Sequence, residues 1–210
     1  MLAKVGVGHI LTEFFPQLYH NLVRPKWFTE KYIHLYLQKE FEFNDKTVLD
    51  FGSGTGVNCT LFSSERYMGV EPDEKRVMYS KKLYSNYEFK VLEEYSLPVE
   101  NESIDYILII SVLHHISCAD IKTYTEEFKR VLKPNGRVIA IEPCMYQHKP
   151  FCNFFMNWLD QGRFIRDEKG YIDIFHKNGY KCDVLKRFRK CFVYNELFFS
   201  ACLKEAVPSP

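Results

Sequence analysis

The run Val48-Leu49-Asp50-Phe51-Gly52-Ser53-Gly54-Thr55-Gly56 carries the strongest chemical signal in the chain. Three glycines alternate directly after a short β-rich stretch, and glycine lets backbone approach a ligand closely. Asp50, just ahead of the loop, offers a carboxylate that can accept a charge-assisted hydrogen bond from a ligand ammonium. Glu71 ends the next expected strand about 20 residues beyond the first glycine, where dinucleotide sites hold a ribose-binding carboxylate. An NAD loop needs GxGxxG, but here Val57 stands in the last glycine position and the third glycine comes one residue early. A pyrophosphate also gains little from Asp50, whereas an amino-acid ammonium gains a charged partner. The pattern favours an adenosine ligand other than NAD.

These groups need a scaffold, and the chain alternates strand and helix signals. Trp27 to Phe41 reads as a helix with Phe28, Tyr32, Leu35 and Tyr36 on one face. Strands are expected at Thr47–Phe51, Tyr67–Val70, Tyr87–Leu92 and Ile104–Ile110. The last is almost continuously apolar, as a strand buried on both faces must be. Helices are expected from Val57, over Asp73–Leu83, and through Ile121, Tyr124, Phe128, Val131 and Leu132. Lys133-Pro134-Asn135-Gly136 stops that helix and turns the chain. A fifth strand follows at Arg137–Ile141. Tyr171–Lys177 reads as helical, with strands at Tyr180–Leu185 and Cys191–Leu203. The expectation is an α/β Rossmann-like, mostly parallel seven-stranded sheet with helices on both faces and an antiparallel final strand. Residues 1–210 would form one domain, with 1–46 as a helical cap and 144–169 as a helical insertion after strand five. Only Ala206–Pro210 reads as frayed.

With 210 residues, 46% hydrophobic and 26% charged, the chain reads as one soluble globular core. Its 28 basic and 27 acidic residues leave a net charge of +1, which argues against a phosphate-backbone binder. Seven cysteines without a CxxC pair read as buried free thiols of a reducing compartment, not as a disulfide framework or a metal site. The N-terminal sequence lacks the features of a signal peptide, and no run reaches membrane-span length. The chain therefore reads as cytoplasmic, with no membrane partner. Its oligomeric state is not readable.

VLDFGSGTG resembles motif I of the class I S-adenosylmethionine-dependent methyltransferases, and GVEP resembles the ribose motif that follows it. LPVENESIDYILIISVLHHI, EFKRVLKPNGRVIAIEP and KNGY are similar to later segments of that family, in family order. The type-11 subgroup, whose members mostly methylate small molecules, is the nearest branch. The resemblance implies S-adenosyl-L-methionine as cofactor and S-adenosyl-L-homocysteine as product. It places Asp50 at the methionine end, directly or through water. It lays Gly52, Ser53, Gly54 and Gly56 against methionine and ribose, and gives Glu71 both ribose hydroxyls. Glu93 stands where the family has an Asp near the adenine amino group, and Glu94 where a small residue faces the ring. Ser111 starts the loop after strand four, against the methyl-bearing end.

A sulfonium methyl is already electrophilic, so the protein mainly aligns the acceptor and excludes water. His114 and His115 follow strand four, and an imidazole there can take a proton from an oxygen or nitrogen acceptor. Glu142 ends strand five near the same edge, to orient an acceptor or cap a turn. In the insertion, Phe151, Phe154, Phe155, Trp158 and Leu159 form an apolar stripe that could roof the acceptor pocket. Asn153, Asn157 and Asp160 take its other face. Arg163 and Arg166, just beyond, could grip an acidic group. Tyr19, His20, Trp27 and Tyr32 could close the other side. A small-molecule methyltransferase leads the readings. RNA or protein methyltransferases, a non-catalytic cofactor-binding module and, more distantly, an NAD oxidoreductase are the alternatives.

Overall fold

In the computed structural model, which describes residues 26–159 and 163–204, the alternating pattern closes into one twisted sheet. Its strands are β1 Val48–Phe51, β2 Tyr67–Glu71, β3 Glu88–Val91, β4 Ile104–Ile110, β5 Leu132–Met145, β6 Arg166–Asp167, β7 Tyr180–Lys190 and β8 Tyr194–Leu203. The order is β3-β2-β1-β4-β5-β8-β7, with the two-residue β6 paired to β5 off this path. β1 to β5 run parallel, and β8 lies antiparallel between β5 and β7. The path has the seven strands expected, and β6 is the addition.

Among the described residues, five helices longer than a single short turn flank the sheet. The first, α1, runs through Lys26–Thr29, a π-turn Glu30–His34 and Leu35–Glu40. The others are α2 Glu74–Leu83, α3 Cys118–Val131, α4 Pro150–Leu159 and α5 Glu168–Lys177. Side-chain caps fix where three of them start. Asp73 accepts from Lys75 N at 2.9 Å, Ser117 from Asp120 N at 3.2 Å, and Asp167 from Gly170 N at 2.8 Å. Alternate residues of each central strand enter opposite cores. Leu49, Ile107 and Ile109 pack with Phe128, Tyr171 and Phe175 on one face. Val48, Leu108 and Ile110 pack with Ile33, Leu37 and Phe198 on the other.

The structure departs from the sequence expectation at several points. The buried residues of α1 are Thr29, Ile33, His34 and Leu37, while Leu35 is 59% exposed. A π-turn carries an extra residue, so the face read at ordinary helical spacing is rotated away from the sheet. Lys133–Gly136 does not separate helix from strand but sits within β5, where the pairing jumps from Ile104↔Leu132 to Tyr106↔Arg137. Cys191 and Phe192 lie in the β7–β8 turn, both at positive φ, and not in the last strand. All seven cysteines are free, but Cys118 and Cys191 are exposed rather than buried. Tyr19, His20 and the rest of the expected cap up to residue 25, Asp160 and the 206–210 tail lie outside the described residues.

Candidate active site

The strand order reverses between β1 and β4, and ligands of open α/β sheets bind in the crevice at such a point. A cavity of about 850 Å³ opens there. Its walls come from the ends of β1, β2 and β4, the segment after β3 and the start of α3. This size suits a small-molecule site.

The glycine loop is built almost wholly from backbone. Gly52 N and Ser53 N donate to Val70 O at 2.8 and 3.0 Å, tying the loop to β2. Gly54 N donates to Glu71 Oε2 at 2.9 Å. Gly52 has φ +74, and a Cβ there would stand 2.5 Å from Val112 Cγ2. Gly54 has φ +57, and a Cβ there would meet nothing within 4 Å. Both residues line the cavity.

Asp50, Ser53 and Gly56 do not line it. Asp50 is wholly buried behind the loop. Its Oδ2 accepts from Tyr67 OH at 2.7 Å and Asn58 Nδ2 at 3.3 Å. Burial first, and then Asp50, push the Tyr67 phenol well above its usual range, which keeps it a donor. The Asp50 side chain thus lies under the loop, where its Oδ2 supports the turn through Tyr67 and Asn58. Ser53 is 1% exposed. Gly56 leaves room for Phe89, whose Cζ would lie 2.7 Å from a Cβ.

Glu71 stands at the cavity wall, 5% exposed, as its spacing predicted. Burial raises its carboxyl above the usual value, against the opposing pull of Arg76 and of the Gly54 and Asp73 amides. Beyond it the wall turns apolar and aromatic, with Leu92, Tyr95 and Tyr124. Glu94 lines the cavity at φ +51, and its carbonyl accepts from Tyr124 OH at 3.1 Å. Glu93 is exposed and outside the lining. Sequence reasoning missed Arg76, Tyr95, Asp120 and Tyr124. Tyr95 adjoins Glu94, so its neighbourhood was readable. Asp120 and Tyr124 come from α3, and no local signal brings them here. Asp120 accepts from Tyr95 OH and Ser117 Oγ, both at 2.6 Å, and these bonds hold its carboxyl below the usual range.

At the other end the cavity meets Ser111, Val112, His115 and Ile116. Ser111 has φ +57, and its N–H donates to Ile141 O at 2.8 Å, so the chain turns sharply out of β4. His115 is an exposed side chain on the wall. His114 points inward, 2% exposed, with Nδ1 2.8 Å from Glu142 Oε2. His114 is thus a buried pin outside the cavity lining, and His115 is the histidine that lines it. Glu142 is wholly buried and holds the turn instead of an acceptor. It accepts from Val112 N at 2.7 Å, Leu113 N at 2.9 Å and His114 N at 3.3 Å.

The insertion also differs from its expected part. Cys152 and Met156 of α4 face the protein, and Asn153 bonds both backbone groups of Tyr146 at 3.2 and 2.9 Å. Phe151, Phe154 and Trp158 therefore point outward, 70 to 71% exposed. None of them, nor Arg163, lines the cavity. The Arg166 guanidinium is engaged by backbone carbonyls, with Nη1 2.8 Å from Leu113 O and Nη2 2.7 Å from Ile116 O. It is not presented to an acidic ligand.

The residues fit the cofactor that the motif resemblance implies. A glycine cradle open at Gly54, a buried carboxylate at Glu71 and an apolar wall at Leu92 and Tyr124 match an amino acid, a ribose and an adenine in turn. Comparison with known proteins agrees. Residues 49–140 match the family model described as a methyltransferase domain, type 11. An uncharacterised methyltransferase of Bacillus subtilis, YodH, is 31% identical over 120 residues, covering 54% of this chain and 50% of that protein. An uncharacterised methyltransferase of Schizosaccharomyces pombe is 27% identical over 110 residues, covering 50% and 43%. The chain thus spans half or less of the length of these curated relatives. A SAM-dependent methyltransferase from Aquifex aeolicus superposes with a TM-score of 0.66 at 21% identity, covering 90% of this chain and 100% of that one. A possible histamine N-methyltransferase from Thermotoga maritima gives 0.72 at 17%, covering 93% and 99%. The fold is that of the class I methyltransferases. The methyltransferase-domain match over residues 49–140 and the SAM-dependent methyltransferases that share the fold point to S-adenosylmethionine as the cofactor.

Proposed function

We propose that the chain transfers the methyl group of S-adenosylmethionine to an oxygen or nitrogen atom of a small molecule. The observation that carries this reading is the continuous cavity, with Glu71 and the glycine backbone at one end and His115 at the other. When bound, the cofactor supplies an electrophilic methyl group. Glu71 accepts from ribose hydroxyls, and the loop at Gly52 and Gly54 lies against the amino-acid end. Ser111, Val112 and Ile116 shape the space where an acceptor aligns, and alignment with exclusion of water supplies most of the rate. His115 takes the acceptor's proton where one must leave. The near-neutral charge favours a small molecule over a nucleic acid. An acidic acceptor drops out of the proposal, since the Arg166 guanidinium is engaged by carbonyls and Arg163 lies outside the cavity.

Calorimetric titration with S-adenosylhomocysteine and with NAD tests the cofactor. Tight binding of the first and weak binding of the second is expected, and comparable affinities would move the chain to the oxidoreductases. Incubation of a cell extract with methyl-labelled cofactor tests the acceptor. Label is expected in the metabolite fraction, and label confined to RNA or protein would overturn the small-molecule reading.

A further inference from the structure

The segment after β4 is held from both sides by charged side chains distant in sequence. Backbone N–H groups turned inward need acceptors. Those of Val112, Leu113 and His114 converge on the single carboxylate of Glu142, which also takes His114 Nδ1. On the opposite side the carbonyls of Leu113 and Ile116 accept from the two terminal nitrogens of Arg166, and Phe164 O accepts from Nη1 at 2.9 Å. Phe164 N donates to His114 O at 2.9 Å, engaging a third carbonyl of the segment from the same side. A planar guanidinium with five fixed donors can bridge several carbonyls at once, whereas an ammonium is a point charge.

Arg166 is itself fixed. Its β6 backbone pairs with Cys144 of β5, and Asp167 next to it caps α5. Its guanidinium carbon lies 5.6 Å from the Phe164 ring centre and 5.7 Å from that of Tyr171. Tyr171 in turn donates to Pro143 O at 2.9 Å, one residue beyond Glu142. Both jaws are thus anchored on the end of β5.

We propose that Glu142 and Arg166 form a two-sided backbone clamp that fixes the segment 111–116, and with it His115, against the cofactor cavity. They are positioning residues, and neither touches the cavity. The segment after α4 then acts on the site by bracing this loop. What the loop is held for rests on the methyltransferase reading, but the clamp does not.

Hydrogen exchange on the full chain without ligand tests the clamp in Arg166→Ala, Arg166→Lys and a control, Arg187→Ala. Arg187 forms the nearby ion pair with Glu168 and does not touch the loop. Exchange of the 112–116 amides is expected to quicken about tenfold or more in both Arg166 variants. The β1 and β2 amides and the control should keep wild-type rates. Should Arg166→Ala fail to fold, Arg166→Lys and Glu142→Gln carry the same comparison. Unchanged exchange at 112–116, full rescue by lysine, or equal acceleration across the whole sheet would each overturn the clamp. S-adenosylhomocysteine binding to the wild type is measured alongside. Its absence would remove the cofactor reading and leave the exchange result standing.

Discussion

The two loops that meet at the cavity are built by opposite means. The glycine loop after β1 is held by its neighbours in the sheet, through Val70 O and the Glu71 carboxylate, and by having no side chains where Val112 and Phe89 approach. The loop after β4 keeps its side chains and hands its backbone to Glu142 and Arg166, 28 residues or more away in sequence. The first gains its shape from what is missing and the second from what is supplied. The first should fail by crowding, the second by leaving polar groups without partners.

The largest effect is expected at the second loop. Glu142→Ala leaves three amides and His114 Nδ1 without their acceptor, at a carboxylate that is itself wholly buried. Loss of such a buried charged partner costs about 3–5 kcal/mol. Urea unfolding should show it, and a loss below 1 kcal/mol (about the effect of an ordinary point mutation) would sink the contrast.

Crowding of the first loop comes next, and its glycines separate two effects. Gly52→Ala combines a left-handed alanine with a clash on Val112, about 2–4 kcal/mol in all. Gly54→Ala carries only the backbone term, about 1–2 kcal/mol. Gly54 lines the cavity and its added methyl group meets open space, so S-adenosylhomocysteine affinity should fall more than this small stability loss would suggest. Equal stability losses at both glycines would show that Val112 yields freely.

Glu71→Gln should leave folding nearly intact while weakening S-adenosylhomocysteine by about tenfold. Burial raises the Glu71 carboxyl in the free protein, and ribose hydroxyls favour its ionised form. Affinity should therefore fall as pH drops through a range above that of an ordinary glutamate, with protons released on binding there. Titration in two buffers of different ionisation enthalpy measures that release, and Glu71→Gln should abolish it. A release that persists in the variant would assign it to another group.

The smallest effect is expected outside both loops. Trp158→Ala, at a side chain 71% exposed and off the cavity, should change stability by about 0.5 kcal/mol or less and leave cofactor affinity unchanged. A clear loss of affinity would return α4 to the role of a roof.

The sequence by itself determined the mostly parallel sheet and placed Gly52, Gly54 and Glu71 on the wall of its cavity. Those features repeat at short range: an apolar run at Ile104–Ile110, glycines at alternate positions, and Glu71 at the end of the very next strand. A carboxylate's spacing along the chain equals its place in space when consecutive strands lie side by side. Only the tertiary structure decided the rest of the wall. The face that α4 turns inward depended on Cys152, Met156 and the need of Tyr146 for Asn153, against a stripe of larger aromatics. The register of α1 depended on one π-turn. Asp50 kept the position its motif predicted but faces Tyr67 and Asn58, since a strand residue can point to either side of its loop. Glu142 and Arg166 carry side chains that elsewhere bind ligands, and here the nearest unsatisfied partners are backbone amides and carbonyls. Charge and spacing name what a residue can bind, and packing selects which partner reaches it first.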